Sequence, residues 1–248
     1  MINYSQFINK TALITGSSSG IGKDLAIVLS KLGCRIILHG TNEIKLTEVN
    51  KLLEGHDNQI LQLNFNDELN FNSILKELPN IDFFVNCSGA THSTTLRNLN
   101  FEKSKVIFNV NLFSPIDFLT ALVKGNKINT DGSVVFITSI AGKTRFSIGN
   151  LIYGMSKAAV EGFSAWCAPE LAKNKIRVNC IAPGLIETGF SNGTVISEEQ
   201  YKLHADDYPL GRIGMSDDVI GAILFYLSEN SKWVTGTSIN VDGGISLI

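Results

Sequence analysis

Short apolar runs alternate with segments of helical periodicity along most of the chain. The runs predict strands over residues 11–15, 35–39, 59–63, 81–85, 133–138, 176–181 and 237–241. Apolar spacings of three and four predict helices over residues 21–32, 43–53, 71–78, 101–123, 152–172 and 217–227. Because the strands are apolar throughout and alternate with helices, the pattern predicts an α/β fold. We expect a doubly wound parallel sheet of about seven strands with helices on both faces.

Two prolines and one irregular segment modify this pattern. Pro115 and Pro169 lie inside predicted helices, where each removes an N–H donor and crowds the preceding turn, so we expect a kink at each. Ser216 is the predicted N-cap of the last helix. The polar segment 185–208 is long for an irregular connection and is a candidate lid over a site. No repeat or linker-like composition divides the chain, which favours a single domain over residues 1–248.

The composition argues against several classes of function. The net charge is −2 and its charges are spread along the chain, so we expect no nucleic-acid or membrane-surface binding. No apolar run approaches ~18 residues, and residues 1–10 lack the apolar core of a signal peptide. Cys34, Cys87, Cys167 and Cys180 form no Cys-x-x-Cys pair and have no histidine at ligand spacing. We therefore expect a cytoplasmic protein with reduced, mostly buried thiols and no metal.

A glycine-rich turn follows the first predicted strand and opens the first predicted helix. It reads Gly16-Ser17-Ser18-Ser19-Gly20-Ile21-Gly22, a G-x-x-x-G-x-G spacing rather than G-x-G-x-x-G. A tight turn into a helix N-terminus presents backbone N–H groups and the positive end of the helix dipole, which suits a pyrophosphate. The position predicts a dinucleotide site in a Rossmann-type fold. A turn without a ligand is the alternative.

The end of the second strand bears on which dinucleotide binds. An acid there would bind the 2′-hydroxyl of NAD, and a nearby Arg would accept the 2′-phosphate of NADP. The chain has His39-Gly40-Thr41-Asn42, with neither. Because small polar residues leave room for a phosphate and no carboxylate repels it, NADP(H) is favoured over NAD(H). His39 itself is interpreted as a partly buried residue at the strand end, without a catalytic part.

The candidate catalytic groups lie on either side of residues 140–152. Tyr153 and Lys157 are four residues apart on a predicted helix and so share one face. An ammonium beside a phenol favours the phenolate and lowers its pKa from about 10, which suits proton transfer near neutral pH. Ser139 ends the preceding strand, and its hydroxyl would steady a carbonyl or alkoxide oxygen. One Tyr and one Lys at this spacing are weak evidence alone, and a pair without function is the alternative.

Taken in order, these motifs resemble the short-chain dehydrogenase/reductase family over nearly the whole chain. Besides the glycine turn, Ser139 and Tyr153-x-x-x-Lys157, the resemblance rests on Asn86-Cys87-Ser88-Gly89, Val110-Asn111-Leu112, Pro183-Gly184 with Thr188, and Gly236 through Gly244. Each motif is weak alone, whereas the set in register is strong. The resemblance implies an NAD(P)-dependent oxidoreductase acting on CH–OH groups or the corresponding carbonyls.

The resemblance also implies a role for each matching residue. Tyr153 would be the general acid in carbonyl reduction or the base in alcohol oxidation, with Lys157 binding the nicotinamide ribose and lowering the Tyr153 pKa. Asn111 would hold a water that links Lys157 to solvent, and Ser139 and Tyr153 would contact the substrate. The implied cofactor-binding residues are Gly16, Ser18, Ser19, Gly20, Ile21, Gly22, Gly40, Thr41, Asn42, Asn64, Phe65, Asn86, Ser88, Gly89, Tyr153, Lys157, Pro183, Gly184, Ile186 and Thr188.

Several positions depart from the family pattern. Ser88 replaces a usual alanine, and Asn64 stands where the family often has an Asp that contacts adenine. The connection from Ser139 to Tyr153 is slightly longer than usual, which would reshape the loop beside the substrate. A kink at Pro169 would alter a helix face that family members use for dimer packing.

Within the family, residues 86–96, 182–190 and 208–214 resemble the bacterial 3-oxoacyl-acyl-carrier-protein reductases of fatty acid biosynthesis. That resemblance implies a 3-oxoacyl thioester substrate and an acidic acyl carrier protein as a partner. Where such reductases carry two docking Arg residues, this chain has Thr130 and Asn174. Lys127, Lys173 and Lys175 lie close in sequence, and either replace them or form a solvated face.

Three functions stay open from the sequence. The first is NADP-dependent reduction of a carbonyl, and the second is oxidation of a sugar, polyol or other secondary alcohol by the same residues. The third is a dinucleotide-binding regulatory protein without catalysis, against which the intact Asn111, Ser139, Tyr153 and Lys157 argue. Since family members are commonly dimers or tetramers, the resemblance implies a homotetramer or homodimer.

Overall fold

The computed structural model, which describes residues 3–55, 57–187 and 204–248, contains a seven-stranded sheet in which every pairing is parallel. Its order is β3-β2-β1-β4-β5-β6-β9, and β7 pairs with β8 separately. The strands are β1 (Thr11–Thr15), β2 (Arg35–Gly40), β3 (Gln59–Gln62), β4 (Ile81–Asn86), β5 (Ile128–Ile137), β6 (Arg177–Pro183), β7 (Ile186–Glu187), β8 (Gly214–Met215) and β9 (Ser238–Val241). The predicted doubly wound parallel sheet is confirmed.

Helices cover both faces of this sheet. They are α1 (Gly20–Lys31), α2 (Glu43–Asn50), α3 (Phe71–Glu77), α4 (Phe101–Phe108), α5 (Ser114–Lys124), α6 (Leu151–Leu171) and α7 (Ser216–Leu227). One apolar core packs α1, α2 and α7 against the sheet, and a second packs α3, α5 and α6 against the opposite face. Burial on both faces explains why the strands are apolar at nearly every position.

The strand order places a crevice at the carboxyl edge of the sheet. The chain runs outward from β1 through β2 to β3 and then returns to β4, so β1 and β4 are neighbours where the winding direction reverses. Thr15 and Asn86, the last residues of these two strands, lie opposite each other. Open α/β sheets bind ligands outside such a reversal point, so the fold alone indicates where a cofactor would lie.

Three predicted boundaries were wrong. Helix α2 ends at Asn50 because Leu52 and Leu53 donate to carbonyls only three residues earlier. Strand β5 begins at Ile128, ahead of polar residues that include Asp131 at a φ of 65°. The N-cap of α7 is Met215 rather than Ser216, because the Asp218 carboxylate accepts the Met215 N–H at 2.7 Å.

The two prolines have different consequences. Helix α6 continues through Pro169, which lies in its last turn, so no break separates the two halves of the helix. Pro115 is the second residue of α5, which directly follows a π-helical segment, Asn109–Phe113. The predicted single helix over residues 101–123 is therefore two α-helices joined by a π turn, a feature that occurs often at functional sites.

The stretch Phe101–Lys124 is long and apolar enough to cross a membrane by length and composition alone. Phe118, Leu119 and Leu122 within it pack into the protein core, and core helices commonly pass the same test.

The four cysteines are unpaired, Cys34 and Cys180 being buried and Cys87 and Cys167 half-buried. Burial raises the pKa of Cys34, Cys87 and Cys180 to about 12. Within the described ranges, no cluster of His, Cys, Asp or Glu has the form of a metal site.

Candidate active site

A cavity of about 630 Å³ lies along the carboxyl edge of the sheet. Asn42 and Asn86 are absent from its lining, and Thr188 lies outside the described residues. The predicted cofactor residues that line it are Gly16, Ser18, Ser19, Gly20, Ile21, Gly22, Gly40, Thr41, Asn64, Phe65, Ser88, Gly89, Tyr153, Lys157, Pro183, Gly184 and Ile186. One continuous cavity therefore joins the glycine turn to the Tyr153 and Lys157 side chains.

The glycine turn is packed too tightly for side chains. A Cβ on Gly16, whose φ is +65°, would lie 2.8 Å from the Cys87 carbonyl and the Ser88 nitrogen, and one on Gly22 would lie 2.6 Å from the Gly16 oxygen. Ser19 precedes α1 without a side-chain capping hydrogen bond. The first N–H groups of α1 therefore lack a side-chain acceptor, and this turn fits a pyrophosphate.

At the far end of the cavity, two of the predicted cofactor residues make local hydrogen bonds. The Asn64 side chain is engaged within its own loop: its Oδ1 accepts from the Asn66 N–H at 3.1 Å and its Nδ2 donates to Asp67 at 3.0 Å. Asn42 likewise uses its Oδ1 to cap α2, accepting from the Lys45 N–H at 3.0 Å. Both side chains thus have local structural bonds, which leaves Gly40 and Thr41 as the lining at the end of β2.

His39 is fully rather than partly buried. Its side chain packs 4.4 Å from the Phe65 ring, and neither ring nitrogen has a hydrogen-bond partner among the described residues. Burial lowers the pKa of His39 to about 3, so the imidazole is neutral at physiological pH. Unpaired buried polar atoms are costly, which makes His39 a destabilising residue in the wall of this cavity.

Close backbone packing brings Ser139 and Tyr153 together. Ser139 follows β5 and caps a 3-10 turn, Ile140–Gly142, by accepting from the Ala141 N–H at 3.2 Å. That turn lies directly against α6, since a Cβ on Gly154 would meet the Ala141 oxygen at 2.7 Å. The Ser139 hydroxyl consequently lies close enough to the Tyr153 phenol to lower the pKa of Tyr153. Two hydroxyl groups converge where a substrate oxygen could accept from both.

Lys157 is held one turn further along α6. Its Nζ is buried, donates to the Ile137 carbonyl at 2.8 Å and lies 5.8 Å from the centroid of the Tyr153 ring. Burial lowers the pKa of Lys157 to about 8, which leaves the ammonium mostly charged at pH 7. A Cβ on Gly89 would lie 3.4 Å from this Nζ, so the absence of a side chain there gives the ammonium room.

The predicted lowering of the Tyr153 pKa is wrong for the ligand-free protein. Burial raises the pKa of Tyr153, and the nearby Ser139 hydroxyl offsets only part of that rise. Desolvation outweighs the nearby charge because the phenolate would lose its hydration while the ammonium stays several ångströms away. Tyr153 is therefore protonated at neutral pH and has the form of a proton donor.

Asn111 is buried in the π segment and holds two parts of the site together. Its Oδ1 accepts from the Ala90 N–H at 2.7 Å, and its Nδ2 donates to the Ala90 oxygen and to the Ser156 hydroxyl, both at 2.9 Å. Its side chain is therefore used for structure. Pro115, four residues later, has no N–H to give the Asn111 carbonyl an α-helical hydrogen bond.

Some residues of the site were not found by sequence reasoning. Arg145, Ser147 and Asn150 line the cavity from the loop between Ser139 and Tyr153. The unusual length of that loop was the signal that the sequence offered. The sequence did not show which side chains of the loop line the cavity. Gly142 and Gly154 were also missed, because a glycine within a helix gives no indication of what packs against it.

Comparison with known proteins gives consistent matches over nearly the whole chain. A family model described as "Enoyl-(Acyl carrier protein) reductase" matches residues 16–246. The 3-oxoacyl-[acyl-carrier-protein] reductase of Chlamydia trachomatis is 32% identical over 246 residues, covering 96% of this chain and 98% of that protein. An uncharacterized oxidoreductase of Bacillus subtilis is also 32% identical, over 96% and 99% of the two chains.

Solved structures agree with these sequence matches. A short-chain type dehydrogenase/reductase from Mycobacterium ulcerans superposes with a TM-score of 0.86 at 29% identity, covering 97% of this chain and 91% of that one. A second such enzyme, from Serratia marcescens, has a TM-score of 0.88 at 21% identity, over 97% and 99% of the two chains, and supports the fold alone.

Proposed function

Since the chain belongs to the short-chain dehydrogenase/reductase family of oxidoreductases, we propose that it reduces the carbonyl of a 3-oxoacyl thioester to a secondary alcohol with NADPH. The observation that carries this proposal is the meeting of the Ser139 and Tyr153 hydroxyls beside the buried Lys157 ammonium. They share a cavity with a glycine turn that fits a pyrophosphate. Two hydroxyls directed at one oxygen suit a C=O group better than a C=C bond.

The residues of this chain position the carbonyl and handle its proton. A bound nicotinamide dinucleotide supplies the hydride. Ser139 donates a hydrogen bond to the carbonyl oxygen, and Tyr153 transfers its phenolic proton to the same oxygen as negative charge develops there. Lys157 stabilises the tyrosinate that is left, since an opposite charge nearby favours the ionised form.

Proton return to Tyr153 follows a path through Lys157. The Lys157 ammonium lies beside Asn111, whose side chain is occupied by Ala90 and Ser156. We assign the water of the predicted relay to the Asn111 backbone carbonyl, because Pro115 deprives that oxygen of its α-helical donor.

The cofactor preference rests on the end of β2. Gly40 and Thr41 line the cavity there and offer no carboxylate to repel a 2′-phosphate. Fluorescence titration should therefore give tighter binding of NADPH than of NADH. Tighter NADH binding would reverse the assignment.

The assignment of a thioester substrate rests on the similarity to the relatives, and turnover assays test it. Cofactor absorbance is followed with acetoacetyl thioesters and with a panel of sugars and secondary alcohols, using both cofactors. We expect NADPH oxidation with the thioesters, and its absence would leave the alcohol dehydrogenase as the better candidate. A chain that binds NADPH and turns over none of these compounds would instead fit a regulatory protein.

An acyl carrier protein would dock through Lys173 and Lys175, which are exposed. Lys127 is less available, since its Nζ donates to the Leu78 carbonyl at 2.5 Å.

We expect a cytoplasmic homotetramer or homodimer, with the exposed Met155 and Trp166 of α6 in a subunit interface. Light scattering is the test, and a monomer at micromolar concentration would contradict it.

A further inference from the structure

Arg145 lines the catalytic end of the cavity and has no part in the chemistry above. Its backbone N–H donates to the Ile140 carbonyl at 2.9 Å, which fixes it next to the turn that begins at Ser139. Its guanidinium has one described hydrogen bond, from Nη1 to the Ile245 carbonyl at 3.3 Å. A guanidinium carries five N–H donors, so most of its hydrogen-bonding capacity is unused by the residues that the structure describes.

Among the described residues, positive charges around Arg145 outnumber the acids that could balance them. No Asp or Glu occurs among the described residues that line the cavity, whereas Lys157 and Arg145 both do. The carboxylate of Asp242 is near enough to affect Tyr208, as Arg145 also is, but its oxygens accept from the Gly244 and Ser246 N–H groups. Within the described ranges, no acid lies within 4.0 Å of the Arg145 guanidinium.

We propose that Arg145 binds an anionic group of the substrate, a carboxylate or a phosphate, while the reacting carbonyl lies against Ser139 and Tyr153. The proposal rests on the carbonyl reductase activity proposed above and specifies its substrate further. A planar guanidinium presents two parallel N–H groups to two oxygens of a carboxylate or phosphate, and such charge-assisted pairs are the stronger hydrogen bonds. The anion therefore sets which carbonyl compounds are bound.

Lys143 provides a matched control in the same loop. It carries the same charge two residues earlier and is also exposed, but it is absent from the cavity lining. Its Nζ points to the C-terminal strand, 3.3 Å from Asn240 Oδ1 and 4.0 Å from Glu161. If only the charge of the loop mattered, replacing Lys143 would weaken anion binding as much as replacing Arg145. If Arg145 itself contacts the anion, only its replacement would weaken binding.

The test is calorimetric binding to the full chain saturated with NADP⁺, a state in which no reduction occurs. Acetoacetate is compared with acetoacetamide, a neutral molecule of the same shape, and phosphopantetheine is compared with pantetheine. The first pair detects a carboxylate contact and the second a phosphate contact. We expect the wild type to bind one charged member about tenfold more tightly than its neutral partner. Arg145→Gln should abolish that preference, Arg145→Lys should keep part of it, and Lys143→Gln should keep all of it.

Two results would overturn the proposal. One is a wild type without preference for either charged probe, whether the members of a pair bind equally or not at all. The other is a preference that survives in Arg145→Gln or is lost equally in Lys143→Gln. Because binding is measured without turnover, failure of the thioester assay described above would reject the reductase function separately from this contact.

Discussion

Gly154→Ala tests whether backbone packing sets the distance between Ser139 and Tyr153. A Cβ on Gly154 would lie 2.7 Å from the Ala141 carbonyl oxygen, and a Cβ on Gly142 would lie 2.7 Å from the Gly154 oxygen. The 3-10 turn and α6 therefore touch through bare backbone, one residue after Tyr153. Because neither backbone can yield as a side chain would, the added methyl must push the Ser139 turn away from α6.

The size of the effect follows from two opposing contributions. Alanine stabilises a helix interior by about 1 kcal/mol relative to glycine, while overpacking costs roughly 1–3 kcal/mol. Gly162 lies in the same helix, and no atom outside its own stretch of helix backbone comes within 4 Å of an added Cβ, so Gly162→Ala should show the helix gain alone. The two variants should differ in stability by roughly 1–3 kcal/mol, or on the order of 2–4 °C in Tm per kcal/mol for a chain of this size.

Activity should separate the variants more strongly than stability. A misplacement of about 1 Å at a reacting centre can lower turnover on the order of 10²-fold. Thermal unfolding and kcat with an acetoacetyl thioester measure the two effects in both variants. If Gly154→Ala were as stable and as active as Gly162→Ala, the packing account of the catalytic geometry would be wrong.

Two further predictions concern pH and burial. The unfolded chain protonates His39 near the ordinary histidine pKa of 6.5 and the folded protein only near 3, so His39 leaves stability unchanged above pH 6.5 and destabilises the fold as pH falls below it. The loss of unfolding free energy is about 2 kcal/mol at pH 5. Urea unfolding at pH 7 and pH 5 should show that His39→Phe removes this loss. If the unfolding free energy of the variant depended on pH as steeply as that of the wild type, the burial of His39 would not be the cause. The pKa of Lys157 is about 8 in the folded protein and 10.5 in the unfolded chain, so below pH 8 the fold holds a charged ammonium in its interior. Between pH 8 and 10.5 the unfolded chain binds the proton more tightly than the folded protein, so the stability of the wild type rises with pH over this range. Ligand-free Lys157→Met should be more stable at pH 7 by up to about 3 kcal/mol while losing turnover, and a lowered Tm would contradict the burial cost.

The arrangement of strands was predictable because burial on both faces produces continuous apolar runs. The glycine turn was predictable for a related reason: only glycine at positions such as Gly16 allows the backbone approach to Cys87 and Ser88 that the structure contains. These features follow from local sequence and from the general geometry of parallel sheets.

The features that were missed depend on contacts between distant segments. The π segment Asn109–Phe113 is fixed by bonds from Asn111 to Ala90 and from Asn109 to Phe65, which no local pattern encodes. The bonds of the Asn64 side chain to Asn66 and Asp67 are local, but nothing in the residue types at these positions showed that Asn64 would be used within its own loop. The predicted direction of the Tyr153 pKa shift was wrong because the sequence places Lys157 beside Tyr153 but does not indicate how much the fold desolvates the two groups.

The central claim, that Tyr153 donates the proton to the carbonyl oxygen, is tested most directly by Tyr153→Phe. The variant lacks the phenolic hydroxyl but keeps the ring packed against Lys157. Single-turnover oxidation of bound NADPH by an acetoacetyl thioester is the measurement, with NADPH binding by fluorescence as its reference. The account predicts unchanged NADPH binding and a rate lowered by roughly 10²–10⁴-fold. A rate close to that of the wild type would show that the proton comes from another group.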